Sequence, residues 1–169
     1  TIYRTVDQGN SWSVLPLPTN NNYYNVWDMV FLNGKLFITD GGLMSSADEG
    51  QSWYRHGTPN TLDVEKDGNT LCIGGSDGFF KSFDAGETWW TGNVGWETAL
   101  GQVSSPFFHP DQIHYHQGKL YLFSYGENYV SGNEGQEWRF FSGKNFAVYK
   151  HFVGRGDSIL LLGNGLMRS

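Results

Sequence analysis

The residues best equipped for binding or catalysis fall in three stretches of this 169-residue chain. Tyr23 and Tyr24 follow a run of asparagines, and Trp96 and Glu97 share the segment 90–112 with His109 and Asp111. Tyr125 and Glu127 flank a single glycine. Aromatic faces beside carboxylates can stack on a sugar or grip a peptide. Trp96, set between Gly95 and Glu97 in a polar stretch, is the aromatic expected at the surface, whereas Trp90, Phe107 and Phe108 read as filling between layers. His114 and His116 alternate along a strand and present two imidazoles on one face, a possible pair of metal ligands. A third ligand at fixed spacing is missing, so the pair reads as packed, and no metal or cofactor is expected.

These side chains are positioned by a phrase that recurs four times, Ser/Thr-x-Asp-x-Gly-x-x-Trp, opening at Thr5, Ser46, Ser82 and Ser131. Its elements are Asp7, Gly9 and Trp12, then Asp48, Gly50 and Trp53, then Asp84, Gly86 and Trp89, and finally Asn133, Gly135 and Trp138. An Asp or Asn in a turn accepts backbone N–H groups just ahead of it, and the Gly adopts positive φ without strain. Asn133 shows that acceptor geometry, rather than charge, is what the fourth copy requires. The closing Trp supplies a large apolar surface. Short β-type runs precede each phrase: Leu36-Phe37-Ile38, Leu71-Cys72-Ile73, Leu120-Tyr121-Leu122 and Ile159-Leu160-Leu161. Val30 and Leu32 stand where the fourth repeat has His114 and His116, which supports the packed reading of that pair.

The phrase resembles the Asp box, or BNR repeat, of sialidase-like β-propellers, and the match extends to the columns before it, such as Gly42-Leu43-Met44 and Gly78-Phe79-Phe80. The resemblance implies an all-β propeller of four-stranded antiparallel blades with the boxes as turns between third and fourth strands. Repeats fall at 1–22 (partial), 23–60, 61–102, 103–146 and 147–169 (partial). Gly165-Leu166-Met167-Arg168-Ser169 aligns with Gly42 to Ser46, so a fifth box opens at Ser169. The expectation is about four blade periods belonging to a larger propeller; the competing reading is a four-bladed ring with one redundant strand.

Composition narrows the function classes. Aromatic content of 17% and 23 glycines suit a turn-dense β fold, and no segment keeps a helical period. A net charge of −6 with scattered Lys and Arg offers no basic stripe for nucleic acid. No apolar run approaches a membrane-spanning length. Cys72, the lone cysteine, shares a column with Phe37, Tyr121 and Leu160 and reads as a small core residue.

By strand reversal the boxes lie on one end of the blades, and the long connections holding Tyr23, Tyr24, Trp96, Glu97, His109, Tyr125 and Glu127 lie on the other. Sialidases carry an arginine cluster, a Tyr–Glu pair and an Arg-Ile-Pro segment. This chain has five dispersed arginines and no such segment. The resemblance therefore implies a non-catalytic extracellular, periplasmic or cell-surface module for a protein or glycan partner, free or within a larger assembly. The alternative is a glycoside hydrolase of sialidase-like or xyloglucanase-like type, its carboxylates in the loop face or in other blades.

Overall fold

The computed structural model describes residues 1–17, 26–58, 60–75, 78–91, 110–124, 127–142, 151–162 and 166–168. Among the described residues, seventeen strands form five antiparallel meanders in which each strand pairs with the next in sequence. Sheet 1 pairs β1 (Ile2–Arg4) with β2 (Ser13–Leu15). Sheet 2 runs β3 (Asp28–Leu32), β4 (Lys35–Thr39), β5 (Leu43–Ser46) and β6 (Tyr54–Arg55). Sheet 3 runs β7 (Thr61–Asp67), β8 (Thr70–Gly75), β9 (Gly78–Ser82) and β10 (Trp90–Thr91). Sheet 4 comprises β11 (Pro110–His116), β12 (Lys119–Ser124), β13 (Glu127–Ser131) and β14 (Arg139–Ser142). Sheet 5 comprises β15 (His151–Arg155), β16 (Ser158–Leu162) and β17 (Leu166–Arg168).

The core is divided among the spaces between sheets. Successive side chains of a strand point to opposite faces, and here both faces are covered, so the second strands read as unbroken apolar runs. On β4, Phe37 joins Leu32 and Leu43 against Val64, Leu71 and Ile73 of sheet 3, while its neighbour Ile38 joins Met44 against Ile2 and Leu15 of sheet 1. On β8, Leu71 and Ile73 face sheet 2, whereas Cys72 faces Ile113, Leu120 and Leu122 of sheet 4. Tyr121 and Phe123 of β12 turn the other way, onto Leu161 and Phe152 of sheet 5. Full burial of one such side chain stabilises by about 1.5–3 kcal/mol, so each strand of this kind ties three sheets together.

β7 packs against both β3 and β11, which makes the first strand of each sheet innermost and the fourth outermost. The β3–β4 turn at Asn33-Gly34 and the β11–β12 turn at Gln117-Gly118 have positive φ at both residues, the twist that suits two-residue hairpins. Strand reversal then sets the β3–β4 and β5–β6 turns at one end of a sheet and the β4–β5 connection at the other.

Candidate functional site

Each repeated phrase closes the turn between the third and fourth strands. In the second, the Ser46 hydroxyl donates to Asp48 Oδ1 at 2.7 Å and accepts the Gly50 N–H at 2.7 Å. Asp48 Oδ1 accepts the N–H groups of Gln51 and Ser52 at 3.0 and 2.8 Å, and Oδ2 accepts the Ser52 hydroxyl at 2.5 Å. The same web links Thr5, Asp7, Gly9 and Ser11, and again Ser82, Asp84, Gly86 and Thr88. The hydroxyls of Ser11, Ser52 and Thr88 are the main cause that holds the Asp7, Asp48 and Asp84 carboxyls at about 2. In the fourth copy Asn133 Oδ1 accepts the Glu137 N–H at 2.9 Å and the Ser131 hydroxyl at 2.9 Å. Position 137 carries no hydroxyl there, and Asn133 has no second oxygen to receive one.

The turns also grip the preceding sheet. Trp53, Trp89 and Trp138 pack into the cores shared with sheets 1, 2 and 3 respectively, and Trp138 meets Phe79 edge-on at 5.2 Å. Trp12 remains 62% exposed. Gly135 combines φ of +86° with contact to the neighbouring sheet: a Cβ there would fall 2.5 Å from Phe79 Cε1. These residues build a scaffold: the Asp carboxyls and the opening hydroxyls are engaged within the turns, and the Trp53 indole N–H donates to Pro16 O at 2.8 Å.

Beside the second turn, Lys35, Ser45, Ser52, Trp53, Tyr54, His56 and Glu87 line an open cleft of about 500 Å³. His56 Nδ1 lies 3.0 Å from Gly86 O, which can only accept, so Nδ1 bears the proton and Nε2 accepts the Ser45 hydroxyl at 2.9 Å. Burial is the largest cause lowering the His56 pKa, consistent with that neutral form. A serine hydroxyl on an imidazole is the geometry of an activated nucleophile. Here both groups are buried and the second nitrogen is tied to the next sheet's turn, so the chain of bonds acts as a strut between sheets 2 and 3.

The innermost strands hold the most perturbed acids. Asp28 Oδ2 accepts the Val64 N–H at 3.1 Å, and Asp63 Oδ2 accepts the Ile113 N–H at 2.5 Å. Asp28 and Asp63 occupy one column, so the same carboxyl-to-backbone clamp joins sheet 2 to sheet 3 and sheet 3 to sheet 4. Burial first, then the charge of Asp28, pushes the Asp63 carboxyl well above the carboxylate range. Burial and Asp28 also push Glu65 up to about 7. Sequence reasoning missed this pair; the available signal was an Asp in the same place ahead of Met29-Val30 and Val64-Glu65, inside otherwise core-facing strands.

Of the loop residues singled out from the sequence, Tyr23, Tyr24, Trp96, Glu97, His109 and Tyr125 lie outside the described residues. Glu127 opens β13, opposite Ser124. His114 stacks on Phe152 at 4.7 Å, its pKa lowered to about 4 by burial, while His116 Nε2 lies 2.9 Å from Gly156 O. Among the described residues no group of three His, Cys, Asp or Glu could hold a metal. Cys72 is buried, which pushes its thiol up to about 12.

No protein-family model matches the sequence, and no curated protein matches it. Solved structures do match the fold. YCF48 bound to D1 peptide superposes with a TM-score of 0.68 at 14% identity, over 96% of this chain and 55% of that one. YCF48 from Cyanidioschyzon merolae gives 0.59 at 13% identity, over 91% and 57%. An ancestral GH74 enzyme gives 0.64 at 18%, over 94% and 24%, and the WD40 β-propeller domain of Doa1 gives 0.53 at 17%, over 82% and 48%. The five meanders are blades of a β-propeller. The chain spans about half the length of the YCF48 chains it matches.

Proposed function

We propose that the four turns are Asp boxes and that this propeller is a non-catalytic interaction module of an extracellular, periplasmic or cell-surface protein. Its partner, a protein or a glycan, meets the end of the blades opposite the boxes, where Tyr23, Tyr24, Trp96, Glu97, His109, Tyr125 and Glu127 supply aromatic and acidic contacts. One observation carries the reading: six of the described aspartates are engaged in holding the scaffold. Asp7, Asp48 and Asp84 close turns, Asp28 and Asp63 clamp neighbouring blades, and Asp40 pairs with Arg55 at 2.7 Å. A hydrolytic pair instead requires two carboxyls facing each other across an open cleft. A peptide-bound neighbour of the same fold, YCF48, is in keeping with a protein ligand.

The test is binding of the purified chain to peptide and glycan arrays, alongside incubation with xyloglucan. Retention of defined ligands that is lost in Trp96→Ala and Tyr23→Ala, with unfolding midpoints unchanged, supports the proposal. Release of reducing ends from xyloglucan, abolished by Glu65→Gln or Glu97→Gln, overturns it.

A further inference from the structure

Among the described residues, five buried side-chain nitrogen and oxygen atoms have no hydrogen-bond partner. One is Asp40 Oδ1; the other four are Gln112 Oε1, His114 Nε2, and both Nδ2 and Oδ1 of Asn128. Buried polar groups are normally paired, so four orphaned atoms close together call for a partner from elsewhere. They share one face of sheet 4. Gln112 and His114 alternate along β11, and the register sets Gln112 opposite Phe123 and Phe123 opposite Asn128. Phe123 packs with Leu161 and Phe152, and His114 stacks on Phe152, so this face meets sheet 5. Asn128 is 0% exposed there.

The junctions between earlier sheets match their groups at the same positions. Gln112 stands in the column of Asp28 and Asp63, which pair with Thr39 and Gly74 as it pairs with Phe123. Those two carboxyls accept an N–H of the next sheet, whereas Gln112 Oε1 accepts nothing. Leu43, Phe79 and Asn128 each stand three residues before the serine that opens their turn, and Leu43 and Phe79 are fully buried. Apolar packing fills that position twice; an unpaired amide fills it the third time. Just before the turns, Arg4 pairs with Glu49 and Lys81 with Glu134, while the neutral Ser45 is matched by the neutral Ala85 at the equivalent turn position.

We propose that the junction of sheets 4 and 5 binds the side-chain carboxamide of an Asn or Gln from a peptide partner, which exchanges two hydrogen bonds with Asn128 and donates its remaining N–H to Gln112 Oε1. The inference rests on the reading of this propeller as an interaction module and names the chemistry that module takes. The row Gln112–Phe123–Asn128 lies one residue from the β12–β13 connection, at the end of the sheet opposite the turns. A primary carboxamide carries its C=O and one N–H on the same edge, so it meets the like edge of Asn128 with two bonds at once. A backbone amide is trans and sets its N–H and C=O on opposite sides, as does the secondary amide of an N-acetyl sugar, so neither can form that pair. An ionised group fits no better. Asn128 and Gln112 are neutral, and burial lowers the His114 pKa to about 4, so these three offer a desolvated charge nothing to balance it.

The isotope-labelled chain is titrated with propionamide, N-methylacetamide and propionate and followed by proton–nitrogen NMR correlation spectra. Propionamide should shift the Asn128 side-chain and the Gln112 and His114 backbone signals saturably, and the other two probes should bind about tenfold more weakly or not at all. Asn128→Leu, which presents the side chain that Leu43 presents in sheet 2, should stay folded and lose the response. Gln112→Met, which leaves Asn128 in place, should weaken it by roughly threefold or more. In peptides retained on arrays, replacing one Asn or Gln by its acid should abolish retention. Equal saturation by N-methylacetamide, shifts that survive Asn128→Leu, or a response that never saturates, as a site filled by water alone would give, overturns the proposal. Retention of peptides without a propionamide response would remove this inference and leave the interaction module standing. Hydrolysis of xyloglucan beside a saturating propionamide response would do the reverse.

Discussion

Replacing one turn glycine measures how much such a turn contributes to holding two blades together. Gly135→Ala incurs two separate penalties. Its φ of +86° is a backbone that alanine adopts at a cost of about 1–2 kcal/mol, partly offset by the lower entropy of the unfolded alanine chain. Its new methyl would also meet Phe79, with ring atoms at 2.5, 3.1 and 3.2 Å. Phe79 is fully buried and pinned edge-on by Trp138, so the ring has no room to yield; overpacking of this kind costs about 1–3 kcal/mol. Gly34→Ala isolates the first penalty, because φ there is +77° and nothing lies within 4 Å. Gly50→Ala falls between, since its obstacle is the Cδ1 of Leu15, the end of a flexible side chain. Urea unfolding followed by far-ultraviolet circular dichroism and by Trp fluorescence should therefore rank the losses as Gly135, then Gly50, then Gly34, at about 2–4 kcal/mol for the first and about 1 kcal/mol for the last. Phe79→Leu in the Gly135→Ala background should restore part of the loss. Equal losses at Gly135 and Gly34, within the roughly 0.5 kcal/mol of normal non-additivity, would refute the idea that the turn glycine is a contact between blades.

Asp63→Asn keeps an acceptor for the Ile113 N–H and adds a donor toward Asp28. Because the folded pKa of Asp63 is raised, its favourable contribution is complete below about 3.8 and is lost as pH climbs through the raised value. The urea midpoint of the variant should thus exceed that of the parent by more at pH 8 than at pH 4.5; a constant offset would sink the assignment. His114 has the opposite sign: its pKa of about 4 means that stability is lost as pH falls from 6.5 toward 4. His114→Phe preserves the stack on Phe152 and should remove roughly 2 kcal/mol of that acid sensitivity, read from midpoints at pH 7 and pH 4.5. Asn133→Asp places a second carboxylate beside Glu137 where the other turns offer a hydroxyl, so thermal scans should show a lower midpoint that Glu137→Ser restores. No recovery in the double variant would argue against the turn-specific pairing.

The sheet architecture was legible because burial on both faces leaves a strong trace. Leu36-Phe37-Ile38 and Leu71-Cys72-Ile73 are apolar at every position since each neighbour along the strand meets a different blade. The polar chemistry was less visible. Asp28 and Asp63 act across blades on backbone groups 36 and 50 residues away, and loop lengths between repeats hide that regularity from any fixed-spacing search. His56, unremarkable as a lone histidine, draws its meaning from Ser45 and Gly86, neither adjacent to it in sequence. The four tryptophans look alike in the sequence, but Trp138 is buried and Trp12 is not, because exposure depends on the blade next door rather than on the phrase itself.

The pairing of Arg4 with Glu49 and of Lys81 with Glu134 has a consequence for how such a chain can change over generations. Sheets 1 and 3 each carry the cation of such a match and depend on the next sheet for the glutamate. A tandem duplication that copied the blade bearing Lys81 alone would set a lysine against Ala85 in place of a glutamate and leave one cation buried without its partner. Repeats that look interchangeable by their turns are therefore ordered by their neighbours. The tolerated rearrangements are those that move a base and its acid together, which makes the junction between two blades, rather than the blade, the heritable unit.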